Sequence, residues 1–179
     1  MTDVTDAPRP TRVLLLGMMG SGKSSVGCAL AERTGWPFID NDALVERATG
    51  RTARELLRDR GEDAMREAES VALRAGLAVP APVIVATAAG TIMRPEDRDR
   101  IDDGGLVVWL HAPAPVLAAR AAGATHRPWL DDDPVAWFTR TIEERTPLYR
   151  AVADLEIDTG STDPDAAADR VVAYLSADP

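Results

Sequence analysis

Residues 12–16 read RVLLL, and they run straight into GMMGSGKSS. A short unbroken apolar run suits a strand buried on both faces. The glycines behind it make a tight loop. KSSVGCALAERTG then puts Val26, Ala29 and Leu30 on one helical face, with Gly35 as a stop signal. Strand, glycine loop and helix in that order commit the chain to a layered α/β arrangement, because a strand buried on both faces needs helices above and below it.

The rest of the chain repeats the alternation. PFID (37–40), PVIVAT (82–87), GLVVWLH (105–111) and DLEID (154–158) read as further strands. Helical segments lie between them, and DAAADRVVAYLSA closes the chain as a helix whose Asp and Ala run forms a solvated face. The best helical pattern is EDAMREAESVALRAGLA, where Ala64, Met65, Ala68, Val71, Ala72 and Ala75 fall on one stripe. A length of 179 residues suits one domain over 11–179, preceded by a short disordered lead over 1–10. In a parallel sheet, ligands gather at the carboxyl ends of the strands. The candidates are then residues 17–24, 40–42, 88–90, His111 and 158–160.

GMMGSGKS fits G-x-x-x-x-G-K-[ST] through Gly17, Gly20, Ser21, Gly22, Lys23 and Ser24, with Ser25 following. Glycines let backbone N–H groups converge on an anion, and the helix that follows presents its positive end there. Lys23 reaches the β- and γ-phosphates of a nucleotide, and Ser24 is a Mg²⁺ ligand. FIDND sets Asp40 and Asp42 just past the second strand. One carboxylate beside Ser24 suits Mg²⁺, which takes oxygen ligands and keeps waters. The second can accept the proton of an attacking hydroxyl. The competing role is helix capping by Asn41 or Asp42; the phosphate loop upstream favours the ligand roles.

Spacing does not choose among the arginines. Arg66 can pair with Glu62 on its own helix, and Arg145 precedes TPLY, where Pro147 should end or kink a helix. Arg120 precedes and Arg127 lies within AAGATHRPWLDDDP (121–134), which reads as a long binding loop or lid. His126 reads as a solvated loop residue, Trp109 as core, Trp129 and Trp137 as lid packing, and Cys28 as a buried helix residue. The net charge of −9 argues against nucleic acid as the main partner, although arginines gathered in one cleft could still take a small anion. No apolar run is long enough for a membrane span, and a single cysteine excludes an internal disulfide. The expectation is a cytoplasmic protein.

Taken in order, GMMGSGKSSVG, FIDND, GEDAMREAE, HRPWL and ERTPLYRAVADLEIDT resemble the shikimate kinases from about residue 12 to 175. The resemblance implies a five-stranded parallel sheet in the order 2-3-1-4-5, flanked by helices and carrying a mobile lid. It implies a monomer that transfers the ATP γ-phosphate to the 3-hydroxyl of shikimate, a step of aromatic amino-acid biosynthesis. By that resemblance Lys23, Asp42 and Arg127 are catalytic. Gly17, Gly20, Ser21, Gly22, Lys23, Ser24, Ser25 and Arg120 bind ATP, while Ser24 and Asp40 hold Mg²⁺. Asp42, Arg66, Ala89, Gly90 and Arg145 bind the acceptor. One departure stands out. The family has three glycines after the third strand, and this chain has TAAGT, keeping only Gly90. Met65 also replaces a usual phenylalanine. These changes leave open another cyclitol, sugar or sugar acid as acceptor, or a nucleotide-binding module without catalysis.

Overall fold

Both neighbours of the first strand come from later in the chain. β1 (Arg12–Leu16) pairs on one side with β3 (Val83–Ala86), Arg12 opposite Val83, and on the other with β4 (Leu106–His111), Val13 opposite Leu106. β2 (Phe38–Asp40) lies outside β3 and β5 (Leu155–Asp158) outside β4. The result is one parallel sheet in the order β2-β3-β1-β4-β5, as expected. This is a computed structural model that describes residues 10–122 and 133–177. The N-terminal lead up to residue 9, and His126, Arg127 and Trp129 of the long loop, lie outside the described residues.

The apolar runs read as they do because each strand is covered twice. Leu14, Leu16, Val85, Val107 and Trp109 enter one core, and Val13, Leu15, Ile84, Val108 and Leu110 the other. α1 (Lys23–Thr34) and α8 (Pro164–Ser176) cover the second face. A third cluster of Val45, Leu56, Met65 and Ala72 joins α2 (Asn41–Thr49), α3 (Ala53–Arg60) and α4 (Glu62–Leu77) into an arm beside the sheet. α5 (Pro95–Asp102), α6 (Ala114–Ala122) and α7 (Pro134–Val152) complete the order.

Several local expectations are corrected. The buried stripe of α4 is turned about a quarter of the way round, because Glu69, Ser70, Leu73 and Gly76 face inward while Val71 and Ala75 are exposed. Ser70 holds that orientation by donating to the buried Asp97 of the next helix at 2.7 Å, while Glu69 accepts from Arg66 of its own helix at 3.1 Å. Cys28 is exposed, since Val26, Gly27, Ala29 and Leu30 point inward and Cys28 lies half a turn from their mean direction. The Ala run of α8 is not solvated: Ala167, Ala168 and Val171 are fully buried with the inward residues of α1. Ala121 and Ala122 end α6 and Pro134 starts α7, so both ends of the 121–134 segment belong to helices. Helix α7 also runs on through Pro147 instead of ending there.

Candidate active site

The strand order places the segments after β1, β2 and β3 side by side, around a cleft of about 1280 Å³. That exceeds the usual range for a single small ligand and leaves room for two. Gly20, Gly22, Lys23, Ser24 and Ser25 line one part of it. Asp40, Asp42, Met65, Arg66 and Glu69 line another, with Ala88, Ala89, Gly90 and Arg145 closing the side.

The phosphate loop is built for an anion. Helix α1 starts after Gly22 with no side-chain cap and no acid in its first turn, so its N-terminal N–H groups are left for a ligand. The Lys23 ammonium reaches back across the loop to the carbonyls of Gly17 (2.8 Å) and Met18 (3.1 Å). Gly17 has φ 144° and a Cβ there would run into the Leu110 carbonyl, so the loop's shape requires glycine. Gly17 and Ser21 lie behind the residues that line the cleft. Ser21 is buried, and its N–H donates within the loop to Met18 O at 3.1 Å. Met18 and Met19, which carried no signal in the motif, do line the cleft.

Arg120 braces the loop from α6. Its guanidinium donates to Gly20 O (3.2 Å) and Thr159 O (2.7 Å), while the Thr159 hydroxyl donates to Ser21 O (2.9 Å). Thr162 and Pro164 line the same end of the cleft. Thr159 is a residue the motifs did not single out, although it lay within the stretch after β5. The other strand-end candidates turn elsewhere. His111 packs its ring on Trp109 (4.8 Å) and lines a separate cavity of about 490 Å³, while Asp158 closes its own turn through Gly160 N and Ser161 Oγ. Trp109 is core, as expected, and Trp137 lines the cleft while packing edge-on against Phe138.

Asp40, not Asn41 or Asp42, caps α2. One carboxylate oxygen accepts the Asp42 N–H at 3.0 Å and the other the Ser24 hydroxyl at 2.7 Å. The cap expected from Asn41 or Asp42 thus comes from Asp40, whose other oxygen faces Ser24. Asn41 points inward instead, fully buried, with no hydrogen-bond partner for its amide.

On the opposite wall Arg66 pairs with Glu62 (3.0 Å), as the i,i+4 spacing allows, and with Glu69 (3.1 Å). Arg145 reaches from α7 to the Ala89 carbonyl at 3.0 Å. Thr91 N donates to Ala88 O (3.2 Å) across a turn whose third residue, Gly90, has φ −90° and ψ −17°. Those angles at the third position are shared by type I and type II′ turns. At Gly90 a Cβ would overlap the Arg66 guanidinium, the movable end of a long side chain. Arg127 lies outside the described residues.

Glu69 is the site residue that spacing missed, although it stands three positions after Arg66. Burial pushes its carboxyl up from the ordinary 4.5, and Asp42 adds to the rise, against the pull of Arg66 and Arg145. Between the two values the folded chain holds a proton that the unfolded chain has released, so this group costs stability as pH rises through that window. Glu69→Gln removes the titration. Measured by denaturant melts from pH 4 to 7, the wild type should lose stability relative to the variant as pH rises. A constant difference would mean that Glu69 titrates normally.

The family model for shikimate kinase matches residues 19–176. A shikimate kinase of Halorhodospira halophila is 38% identical over 171 residues, which cover 95% of this chain and 96% of that protein. One from Rhodopseudomonas palustris is 39% identical over 164 residues, covering 91% and 80%. Among solved structures, a shikimate kinase from Acinetobacter baumannii in complex with shikimate superposes with a TM-score of 0.87 at 31% identity, covering 94% of this chain and 93% of that one.

Proposed function

The chain belongs to the shikimate kinase family, and from that premise we propose that it transfers the γ-phosphate of ATP to the 3-hydroxyl of shikimate. Membership carries the reaction type, ATP-dependent phosphoryl transfer to a hydroxyl. The acceptor is argued from the cleft. The observation that carries it is the meeting of Arg66 and Arg145 at the Ala88–Gly90 turn, in the same cleft as the phosphate loop. Two guanidinium groups beside one turn suit a carboxylate on the acceptor. Ala89 keeps its carbonyl within this arrangement, accepting from Arg145 and Tyr149.

In this reading the α1 N-terminus and Lys23 hold the phosphates, and Arg120 with Thr159 keeps the loop in shape around them. Asp42 lies in the first turn of α2, facing the cleft, and takes the proton of the acceptor hydroxyl as its oxygen attacks phosphorus. Arg66 and Arg145 fix the acceptor's orientation from its carboxylate end. By resemblance Arg127 adds a further cation for the transferring group. Ser24 and Asp40 fit Mg²⁺: both offer oxygen, they meet at 2.7 Å beside the phosphate loop, and an ion that keeps its waters needs few protein ligands. Bound there, Mg²⁺ would offset negative charge on the phosphate oxygens. Among the described residues no helix is long and apolar enough to cross a membrane.

The test is ADP release from Mg²⁺–ATP with shikimate, beside a panel of hydroxylated acids, cyclitols and sugars. Shikimate should be the preferred acceptor, with a KM in the common range of about 1 μM to 1 mM. Turnover of another acceptor with higher kcat/KM would overturn the assignment and leave the reaction type standing.

A further inference from the structure

The Ala89 carbonyl accepts two hydrogen bonds from α7. Arg145 Nη1 donates at 3.0 Å, and the Tyr149 hydroxyl donates at 3.2 Å. The two donors are four residues apart, so they stand on one face of the helix, one turn from each other. They are not equivalent. Arg145 lines the cleft, and its Nε is buried without a hydrogen-bond partner. Tyr149 does not line the cleft, and it is 2% exposed.

Tyr149 is also anchored at its other end. Its ring stacks on Trp109 with centroids 5.5 Å apart and planes 10° from parallel. Trp109 belongs to β4, two strands from the turn, and Arg150 lies over its outer face at 5.7 Å. The hydroxyl is thus held by the core of the sheet and not by a mobile side chain. Burial pushes its pKa up to about 12, so it stays a neutral donor across the working range of pH.

In a trans peptide the C=O and the following N–H point in opposite directions. Fixing the Ala89 carbonyl against α7 therefore fixes the Gly90 N–H on the far side of the same peptide, and with it the approach of the Gly90 backbone to Arg66. An acceptor carboxylate that recruits Arg145 competes with the Ala89 carbonyl for that guanidinium. We propose that Tyr149 is a positioning residue for the acceptor: its hydroxyl keeps the Ala89 carbonyl in place, so that the 88–91 turn holds its shape while Arg145 turns to the acceptor's carboxylate. This rests on the reading of Arg145 as a carboxylate ligand.

The test is Tyr149→Phe in the full chain, which keeps the ring and its stacking and deletes the donor. The KM for shikimate should rise about 5- to 10-fold, the usual scale for one neutral hydrogen bond. The KM for ATP should stay within about twofold, and the melting temperature should change little. An unchanged shikimate KM overturns the proposal. So does a joint rise of both KM values with a large drop in melting temperature, which would mark a packing role. A second reading needs no turnover: the ¹³C shift of the Ala89 carbonyl and the ¹⁵N shift of Gly90, without acceptor. Both should move in the variant, with other shifts outside the turn unchanged. If the wild type fails to use shikimate and those shifts still move, the acceptor assignment falls and the hold on the turn stands. If the shifts are unmoved, Tyr149 does not hold the turn, whatever the acceptor.

Discussion

Replacing Asp42 by Asn should lower kcat with shikimate by about 10²-fold or more, the scale of a lost general base. The affinity for ATP should stay within about threefold. The change is nearly isosteric, and Asp42 remains in the first turn of α2 with its N–H on the Asp40 carboxylate. Asn cannot accept the proton of the hydroxyl. The two ends of the cleft allow a clean separation, because in the proposed reading Lys23 and the α1 N-terminus hold the phosphates without Asp42. Single-turnover phosphoryl transfer and equilibrium binding of a fluorescent ATP analogue would measure the two quantities separately. An unchanged rate of transfer would remove the base role. A matching fall in nucleotide affinity would mean that Asp42 acts by supporting the phosphate loop.

Gly90→Ala should raise the KM for shikimate by about 10- to 100-fold, the loss expected when charge-assisted hydrogen bonds to a carboxylate are forfeited. The backbone is not the obstacle, since φ of −90° is open to alanine. The obstacle is the Arg66 guanidinium, which a methyl would displace, with Glu69 Oε2 only 2.6 Å from the same point. Arg66 is the far end of a long side chain and can swing away, so the fold should tolerate the change, with a modest shift in melting temperature. Ala89→Gly is the contrasting variant. It restores a glycine of the family pattern and leaves the Arg66 guanidinium untouched, and its KM should stay within about threefold of wild type. Equal effects at 89 and 90 would mean that the turn, and not Arg66, governs acceptor binding.

Those two neighbours show how far the sequence could be read. That two glycines were missing was visible at once. Whether their absence mattered depended on the backbone angles of the turn and on the position of a guanidinium from another helix, which no local pattern encodes. The strands were legible because burial on both faces leaves only apolar residues, as in Val13–Leu16. The phosphate loop was legible because backbone geometry there demands glycine. The inward side of α4 was not. Glu69 and Ser70 are buried by partners distant in the chain or specific to the site, and a hydrophobic stripe counts such residues as outward. Cys28 and the alanines of α8 failed for the opposite reason. Small side chains fit either inside or outside, and only the phase of the neighbouring helix decides. Asp40 was legible as a metal-ligand candidate, while the cap was expected from Asn41 or Asp42, because the helix starts earlier than the pattern suggested.

The placement of β1 has a consequence during synthesis. It is the first strand made and the middle strand of the sheet, and Arg12 must wait for Val83 before either edge of the strand finds a partner. At about 5–20 residues per second, that interval is roughly 4–14 s. Through all of it, four consecutive apolar side chains that end up fully buried have neither a strand beside them nor a finished layer above. The segment at the heart of the finished enzyme is thus the one most open to wrong partners on the ribosome. Holding VLLL until the second half of the sheet emerges is work the chain leaves to its surroundings.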